Sequence, residues 1–471
     1  MIKFGTGGWR AIIGDGFTKQ NIQILSTALA VKMKDEGVDG KGVVIGYDRR
    51  FLSRESAFWA AEALTARGIV CRIIEREAPT PLIMYTVKDQ ELPYGMAITA
   101  SHNPAIYNGV KLFMSGGRDA DEKMTSELEK YISRVTDDDV LTVTTESARR
   151  QGLIITIDPM NSYIDSILSA VNVEMIRSRS LSVALDPMYG VSKTALQTIL
   201  LTARCSVDVI HERHDALFGG RLPAPNASTM TALINYVTEN HCDIGIATDG
   251  DADRLGVIDN KGRFLHPNKI LVLLYYYLLK YKGWRGAAVR NVATTHILDR
   301  IAADFGEICY EVPVGFKYVS SKMVETGAII GGESSGGLTV RGHIPGKDGI
   351  YAASLLIEMI AALDMGLSEI YERISEKYGY SEMVELDVEF EPERRECILQ
   401  KLMTDKLLPE FPTEIERVSY LDGCKVYFKN GGWIIARFSG TEPLLRVFCE
   451  MPDAATALSF AAMFRDFICA R

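Results

Sequence analysis

The stretch Val43-Val-Ile-Gly-Tyr-Asp48 decides the fold, because the pattern that starts there returns twice further along the chain. This apolar run predicts a buried strand that ends in an aspartate, and residues 54–67 predict a helix that Gly68 ends. A second strand is predicted at 70–75. The same order of strand, helix and strand is predicted at 181–186, 193–203 and 206–210, and again at 287–292, 295–305 and 308–312.

Apolar strands that alternate with helices predict parallel or mixed sheets covered by helices. Copies spaced this widely favour three related α/β domains, and a single doubly wound domain with insertions is the alternative. From Ser381 the pattern changes to short alternating strands and a final helix, which predicts a smaller α+β domain with an antiparallel sheet. We therefore predict four domains, at residues 1–150, 151–258, 259–375 and 376–471.

Composition excludes several classes of protein. The chain has 471 residues, of which 47% are hydrophobic, and a net charge of −9 that argues against general binding to nucleic acid. The longest apolar run, 270–279, is shorter than the ~20 residues of a membrane span, so we expect a core helix there and no membrane partner. Residues 1–10 lack a signal pattern, and the eight cysteines are scattered, so we expect a cytoplasmic enzyme with reduced thiols.

The first polar loop is Ile98-Thr-Ala-Ser-His-Asn-Pro104, in which Ser101 and His102 lie together. A serine nucleophile needs an activating partner or a reactive phosphorylated form. The surrounding sequence has neither a GxSxG elbow nor an SxxK pair, which excludes the common serine hydrolases and β-lactamases. The alternative is a polar turn in which Ser101 and Asn103 bond backbone groups.

The second loop, Ile244-Gly-Ile-Ala-Thr-Asp-Gly-Asp-Ala-Asp-Arg254, places three aspartates directly after an apolar strand. Alternate carboxylates with small residues between them can converge on one hard cation, as Mg²⁺ prefers. A calcium-binding EF-hand would have glycine at the sixth position and glutamate at the twelfth, where this loop has Arg254 and Asn260. A solvated acidic turn is the alternative, although aspartates this close repel unless a positive charge lies between them.

Two more loops carry binding groups. In Ile330-Gly-Gly-Glu-Ser-Ser-Gly-Gly-Leu338, Glu333 and Ser335 are suited to bonding sugar hydroxyls, unless the loop is merely flexible. The last loop, Ala436-Arg-Phe-Ser-Gly-Thr-Glu-Pro443, is a candidate phosphate cradle, and a simple β-turn is the alternative. Its candidate phosphate ligands are Arg437, Ser439, Gly440 and Thr441.

The order of these loops resembles the α-D-phosphohexomutase family, the phosphoglucomutases and phosphomannomutases, over the whole chain. The motifs Thr99-Ala-Ser-His-Asn-Pro104 and Asp249-Gly-Asp-Ala-Asp-Arg254 match the family pattern without a gap. The resemblance implies three related α/β domains and a C-terminal α+β domain like the TATA-binding protein, arranged around a central cleft. It also implies transfer of a phosphoryl group between the 1 and 6 positions of a hexose phosphate through a hexose 1,6-bisphosphate.

The resemblance further implies a role for each candidate residue. Ser101 carries the catalytic phosphate, and it binds one Mg²⁺ per chain together with Asp249, Asp251 and Asp253. The remaining roles are sugar binding for Glu333 and Ser335, phosphate binding for Arg437, Ser439, Gly440 and Thr441, a basic surround for Arg10, Lys111 and Lys317, and acid–base work for Lys111 or His102.

The sugar loop departs from the family patterns. It reads Gly-Glu-Ser-Ser-Gly instead of the Gly-Glu-Gln-Ser-Gly-His associated with phosphoglucosamine mutases, which favours glucose phosphate and leaves mannose phosphate open. Phe438 stands where many relatives have proline. The expected activator is glucose 1,6-bisphosphate, and the expected state is a monomer or homodimer. The alternatives are a phosphoglucosamine mutase, a sugar-phosphate phosphatase and a sugar-phosphate sensor without catalysis.

Overall fold

The structure is a computed structural model that describes residues 2–5, 7–438 and 444–469. The chain forms two compact units, each of which takes two separate stretches of sequence. The first unit contains residues 2–270 and Ser335–Ser368, and the second contains Leu271–Ser334 and 369–469.

The N-terminal part of the first unit is built on a mixed sheet in the order β1-β5-β4-β2-β3-β7, with β6 paired to β5. Its strands are β1 (Trp9–Ile12), β2 (Val43–Tyr47), β3 (Cys71–Ile74), β4 (Tyr94–Ile98), β5 (Tyr107–Met114), β6 (Arg118–Asp119) and β7 (Ile154–Ile157). Its helices are α1 (Lys19–Asp35), α2 (Ser53–Ala66), α3 (Thr80–Asp89), α4 (Glu122–Ile132) and α5 (Thr145–Arg150). β2 is parallel to β3 and β4, whereas β5 is antiparallel to β4 and β1.

A second mixed sheet follows in the order β12-β11-β10-β8-β9. The strands are β8 (Ser182–Asp186), β9 (Ser206–Val209), β10 (Ile244–Thr248), β11 (Leu255–Asp259) and β12 (Phe264–Leu265). The helices are α6 (Met160–Ala170), α7 (Val173–Arg177), α8 (Lys193–Thr202), α9 (Thr231–Glu239) and α10 (Pro267–Lys280). The predicted apolar run lies in α10 and is buried, as expected for a core helix.

The next part of the chain is divided between the units. Its elements are β13 (Ala288–Asn291), β14 (Cys309–Val312), β15 (Ile330–Gly332), β16 (Leu338–Val340), α11 (Ile297–Asp304), α12 (Phe316–Thr326), α13 (Gly349–Leu363) and α14 (Leu367–Tyr378). In the second unit β13 is parallel to both β14 and β15. β16 and α13 belong to the first unit, where Asp348 caps α13 by accepting from the backbone N–H groups of Ile350 and Tyr351.

The C-terminal part of the second unit is an antiparallel sheet in the order β17-β21-β20-β19-β18. The elements are β17 (Glu382–Glu389), β18 (Ile415–Ser419), β19 (Cys424–Phe428), β20 (Trp433–Phe438), β21 (Leu444–Met451), α15 (Arg395–Leu399) and α16 (Ala454–Cys469). An apolar cluster that includes Val292, Tyr427 and Trp433 packs this sheet against the β13 region within the unit.

The fold class predicted from the sequence is confirmed. Three α/β regions with mixed or parallel strands precede an antiparallel α+β region, so the alternative of a single doubly wound domain is wrong. Among the described residues, no single helix is long and apolar enough to cross a membrane. The consecutive helices α13 and α14 meet that test of length and composition only as a bent pair.

Candidate active site

Ser101 lies in the turn between β4 and β5 and is completely buried. Its φ is 53°, in the left-handed region that residues with a side chain rarely adopt. The Ser101 N–H donates to Thr99 Oγ1 at 2.8 Å, and the Thr99 hydroxyl donates to Asp48 Oδ2 at 2.6 Å. Neighbouring polar groups therefore hold the serine in an unfavourable backbone conformation.

The three aspartates of the second loop follow β10 and are all buried. One carboxylate oxygen of Asp249, Asp251 and Asp253 lies within 4.8 Å of one on each of the other two. Asp249 Oδ1 accepts from the backbone N–H groups of Asp253 and Arg254, each at 3.0 Å. These local bonds curl the loop, so that all three side chains converge.

The serine turn and the aspartate loop meet directly. Ser101 Oγ donates to Asp249 Oδ2 at 2.7 Å. Lys111 lies on β5, and its Nζ donates to Asp251 Oδ2 and Asp253 Oδ2, each at 2.6 Å. Because Lys111 is paired with Ala97 of β4, the two strands carry the lysine and the serine to the same place.

Burial and mutual repulsion dominate the electrostatics of this cluster. Burial and the negative charges of Asp251 and Asp253 raise the pKa of Asp249 to about 8. Burial alone would lower the pKa of Lys111, but the neighbouring aspartates raise it above its ordinary value. For Asp253, burial would raise the pKa, but the charges of Lys111 and Lys347 hold it well below its usual range. The cluster therefore requires compensating positive charge.

The residues of this cluster fit a divalent cation. Asp251 Oδ1 and Asp253 Oδ1 are buried, and neither accepts a hydrogen bond from the residues that the structure describes. Buried polar atoms are normally satisfied, so these two carboxylate oxygens are suited to binding a cation. Oxygen donors of this kind are those that Mg²⁺ prefers, and Asp249 and Ser101 supply two more.

His102 lies in the serine turn, and Arg10 contacts that turn. His102 Nδ1 is 3.4 Å from Ser101 Oγ, and the charge of Arg254, burial and the charge of Arg10 lower the pKa of His102 well below its ordinary value. Arg10 on β1 donates from Nη1 to Asn103 Oδ1 at 2.7 Å. The structure therefore places both residues at the serine turn.

Two residues that the motifs did not mark also reach the aspartates. Lys347 Nζ lies 2.7 Å from Asp253 Oδ2, and Thr80 Oγ1 donates to Asp251 Oδ2 at 2.6 Å. A Cβ on Gly337 would lie 2.4 Å from Lys347 Cδ, so this glycine makes room for the lysine stem. The paired glycines of the sugar loop were the available signal, although the sequence did not reveal which side chain they accommodate.

The sugar loop divides between the two units, because Glu333 belongs to the second and Ser335 to the first, where Ser335 is exposed. Glu333 Oε1 accepts from Asn291 Nδ2 and from the backbone N–H of Gly315, each at 2.9 Å. Lys317 lies in the first turn of α12, with its Nζ 5.0 Å from the ring centroid of Tyr318. Glu333 is thus fixed on a buried polar platform within the second unit.

Arg437 of the phosphate loop lies at the end of β20 and connects to the same platform. Its Nε is 3.3 Å from Asp422 Oδ2, which accepts from the backbone N–H of Val314 at 2.8 Å. Since Val314 precedes the glycine that bonds Glu333, one chain of polar contacts joins Arg437 to Glu333 within this unit. The predicted phosphate ligands Ser439, Gly440 and Thr441 lie outside the described residues.

The chain has three α/β regions followed by an antiparallel C-terminal region, and its first unit contains a buried serine bonded to a cluster of three aspartates. This combination defines a class of enzyme. The class is that of the phosphohexomutases, intramolecular phosphotransferases among the isomerases.

Comparisons with known proteins identify the family. Profiles described as phosphoglucomutase/phosphomannomutase α/β/α domains I, II and III match residues 1–139, 161–262 and 266–378, and the C-terminal domain profile matches 399–467. A phosphoglucomutase/phosphomannomutase of Thermococcus kodakarensis is 29% identical, over 97% of this chain and 96% of the relative. A protein of Methanothermobacter thermautotrophicus, described as a probable phosphoglucosamine mutase, is 30% identical over 95% of this chain and 93% of its own.

A solved structure agrees in fold. It is of a phosphoglucomutase/phosphomannomutase family protein from Burkholderia thailandensis, which is 23% identical and superposes with a TM-score of 0.83, over 99% of this chain and 97% of the other. The chain belongs to the phosphoglucomutase/phosphomannomutase family.

Proposed function

We propose that this protein interconverts hexose 1-phosphate and hexose 6-phosphate, with glucose phosphate as the favoured substrate and mannose phosphate as an open alternative. The observation that carries the proposal is the 2.7 Å hydrogen bond from Ser101 Oγ to Asp249 Oδ2, beside the buried lysine–aspartate cluster. A phosphoryl group on this serine would lie next to a cation-binding site, as phosphoryl transfer requires.

Ser101 carries the phosphoryl group between two sugar hydroxyls. In the first transfer, the bond from phosphorus to Ser101 Oγ breaks as a bond to the free hydroxyl of the hexose phosphate forms, which gives a hexose 1,6-bisphosphate. The hydroxyl proton passes to a general base, and Ser101 Oγ takes up a proton as it leaves. His102, whose pKa lies well below its ordinary value, is the candidate base, and Lys111, whose pKa is raised, is the candidate acid. In the second transfer the bond from phosphorus to the other sugar oxygen breaks as a bond to Ser101 Oγ forms. The serine proton passes to the base and the sugar oxygen takes a proton from the acid, which leaves the isomeric monophosphate and the phosphoserine for the next cycle.

Charge neutralisation is the main contribution of the chain to these steps. One Mg²⁺ per chain, held by Asp249, Asp251, Asp253 and an oxygen on Ser101, would supply positive charge to the transferring group. Lys111 and Arg10 add fixed positive charge beside the serine turn, and this environment excludes water because the cluster is buried.

The substrate-binding groups are assigned to the other two loops. Glu333 and Ser335 bond sugar hydroxyls. Lys317 adds a positive charge in the same unit as Glu333, two residues after Gly315, whose N–H bonds Glu333. Arg437, Ser439, Gly440 and Thr441 hold the phosphate that does not react. The buried platform beneath Glu333 and Arg437 supports this assignment, because it fixes both side chains in one unit.

The sugar preference rests on the loop around Glu333. Relatives carry the names of glucose, mannose and glucosamine phosphate mutases, so the family leaves the sugar open. The sequence Gly-Glu-Ser-Ser-Gly lacks the glutamine and histidine associated with glucosamine phosphate, which favours glucose phosphate. Glucosamine phosphate is the competing candidate, because several relatives are named for it.

One preparation of the full chain tests the proposal. With Mg²⁺ and a trace of glucose 1,6-bisphosphate, phosphorus NMR follows the 1-phosphates of glucose, mannose and glucosamine. We expect glucose 6-phosphate to form with the highest kcat/KM and no free phosphate to accumulate. Release of free phosphate would instead establish a phosphatase, and turnover of glucosamine phosphate alone would overturn the sugar assignment. Binding without turnover of any sugar would establish a sensor.

The remaining expectations accompany this proposal. We place the four domains at 1–150, 151–258, 259–375 and 376–471, and propose a cytoplasmic monomer or homodimer that binds sugar phosphates and not nucleic acid. Limited proteolysis with mass spectrometry tests the boundaries, and light scattering tests the oligomeric state. Cleavage concentrated inside the proposed domains would contradict the boundaries.

A further inference from the structure

Arg50 donates hydrogen bonds to the main chain of the serine turn. This arginine is 3% exposed and follows β2 by three residues. Its Nη2 donates to Ser101 O at 2.6 Å and to Asn103 O at 2.7 Å. Its Nη1 donates to Pro104 O at 2.9 Å and to Tyr107 O at 3.0 Å. Four carbonyl oxygens of one short segment therefore converge on a single side chain.

A guanidinium is suited to this arrangement in a way that an ammonium is not. It offers several donors in a rigid plane, whereas the lysine ammonium is a compact point charge with three donors. The guanidinium carbon of Arg50 lies 4.8 Å from the ring centroid of Phe218, which covers one face of the group. The donor plane is thus itself held in place.

Asp48 connects Arg50 to Thr99 and so adds a second link to the serine turn. Arg50 Nε lies 3.4 Å from Asp48 Oδ2, and the same carboxylate oxygen accepts from Thr99 Oγ1. Because Thr99 Oγ1 also accepts from the Ser101 N–H, both backbone polar groups of Ser101 are tied to this pair. Ser53 Oγ donates to Asp48 Oδ1 at 2.7 Å and fixes the carboxylate.

These hydrogen bonds matter for the position of Ser101, because the backbone of the serine turn is strained. A left-handed φ on a residue with a side chain persists only where the surrounding structure over-determines it. The same conformation places Ser101 Oγ against Asp249. We propose that Arg50 is a positioning residue of the phosphoryl transfer, which holds the turn in the conformation that presents Ser101 and does not itself touch the substrate. This inference rests on the proposed function of Ser101.

The test compares Arg50→Lys and Arg50→Ala with Arg49→Lys in the full chain. Arg49 is the matched control, because it is partly exposed and donates to Tyr189 O and Glu212 O instead of the serine turn. Loss of positioning should lower kcat of both Arg50 variants on the order of 10²-fold and leave KM for glucose 1-phosphate close to that of the wild type. Guanidinium ion at sub-denaturing concentration should restore part of the activity of Arg50→Ala, and methylammonium should not.

Hydrogen–deuterium exchange gives a readout that does not depend on activity. The N–H groups of Ser101, Asn103 and Tyr107 are bonded within the turn, and they should exchange faster in Arg50→Lys but not in Arg49→Lys. Arg50→Lys keeps the positive charge beside Asp48, so it decides the question even if Arg50→Ala does not fold.

Two results would overturn the inference: wild-type kcat in Arg50→Lys, or unchanged protection of the turn in that variant. Failure of the proposed function is recognised separately. If wild-type protein incubated with glucose 1,6-bisphosphate gains no phosphate on Ser101, the mutase proposal fails, and the exchange data still decide whether Arg50 holds the turn.

Discussion

Replacement of Lys111 by methionine removes a buried positive charge and keeps most of the volume of the side chain. In the structure its Nζ is 2.6 Å from both Asp251 Oδ2 and Asp253 Oδ2, and all three side chains are at most 5% exposed. After the substitution, Asp253 retains Lys347 and Asp251 retains the Thr80 hydroxyl. Lys111→Met therefore leaves two buried carboxylates that are only partly compensated.

The expected loss of stability follows from that contact set. Removing one partner from a buried ion pair costs about 3–5 kcal/mol, so Lys111→Met should lower the free energy of unfolding by about this amount in chelator. Mg²⁺ should restore part of the loss, since an ion present at about one hundred times its Kd adds about 2.7 kcal/mol. Lys111 and the ion compete for the same carboxylates, so the variant should gain more from Mg²⁺ than the wild type gains.

Urea unfolding in chelator and in excess Mg²⁺, with calorimetric measurement of Mg²⁺ affinity, checks this prediction. Lys193→Met is the control, because the half-exposed pair of Lys193 with Glu212 in the same unit should contribute about 1 kcal/mol or less. If Lys111→Met in chelator is as stable as Lys193→Met, the lysine does not neutralise the aspartates. Equal gains from Mg²⁺ in variant and wild type would contradict the shared site.

Three further predictions concern other parts of the chain. Ser101→Ala should abolish phosphate incorporation from glucose 1,6-bisphosphate by intact mass and leave less than about a tenth of the mutase rate, a loss of at least ~1.4 kcal/mol. The buried Ser56, whose hydroxyl has no hydrogen-bond partner among the described residues, supplies a neutral control as Ser56→Ala. Arg437→Ala should raise KM about ten- to hundredfold for both glucose monophosphates, since a charge-assisted bond contributes about 1.5–3 kcal/mol, and unchanged KM values in steady-state assays would remove it from the phosphate site. Burial and the charge of Arg290 lower the pKa of Lys425 to about 7. Between pH 7 and the ordinary lysine pKa, Lys425 is therefore protonated in the unfolded chain and largely neutral in the folded one. The free energy of unfolding of the wild type should rise with pH in this window, and that of Lys425→Met should lack this rise. Parallel stability profiles in denaturant titrations would refute this last expectation.

Local pattern was sufficient for the three repeated strand–helix–strand units. The three predicted strand–helix–strand units correspond to elements of the structure, because their strands are rich in apolar residues and Gly68 ends the first helix. β1 was not predicted, since its glycine-rich surroundings carry no strand pattern, and it is defined by antiparallel pairing with the distant β5. β18 was also missed, because its residues are exposed or half-buried and show no clean alternation.

The candidate site divides in the same way. The serine and aspartate motifs were visible because their chemistry is concentrated in a few consecutive residues. Lys347, Thr80 and Arg50 were not visible, since each acts through contacts with residues far away in sequence. The sequence around Lys347 does not show that its aliphatic chain passes Gly337 to reach Asp253. Long-range packing therefore supplied what the motifs lacked.

The interleaved order of the two units has a consequence for biosynthesis. As the chain leaves the ribosome, the aspartate loop and Lys111 emerge first, and the strands β13–β15 of the other unit emerge before Lys347. A nascent chain halted before residue 335 thus contains the three aspartates and Lys111, but not Lys347. Domains commonly fold in order of synthesis, but here the first unit has to wait for residues 335–368. Translation of that late segment, and not of the aspartates themselves, completes the acidic site.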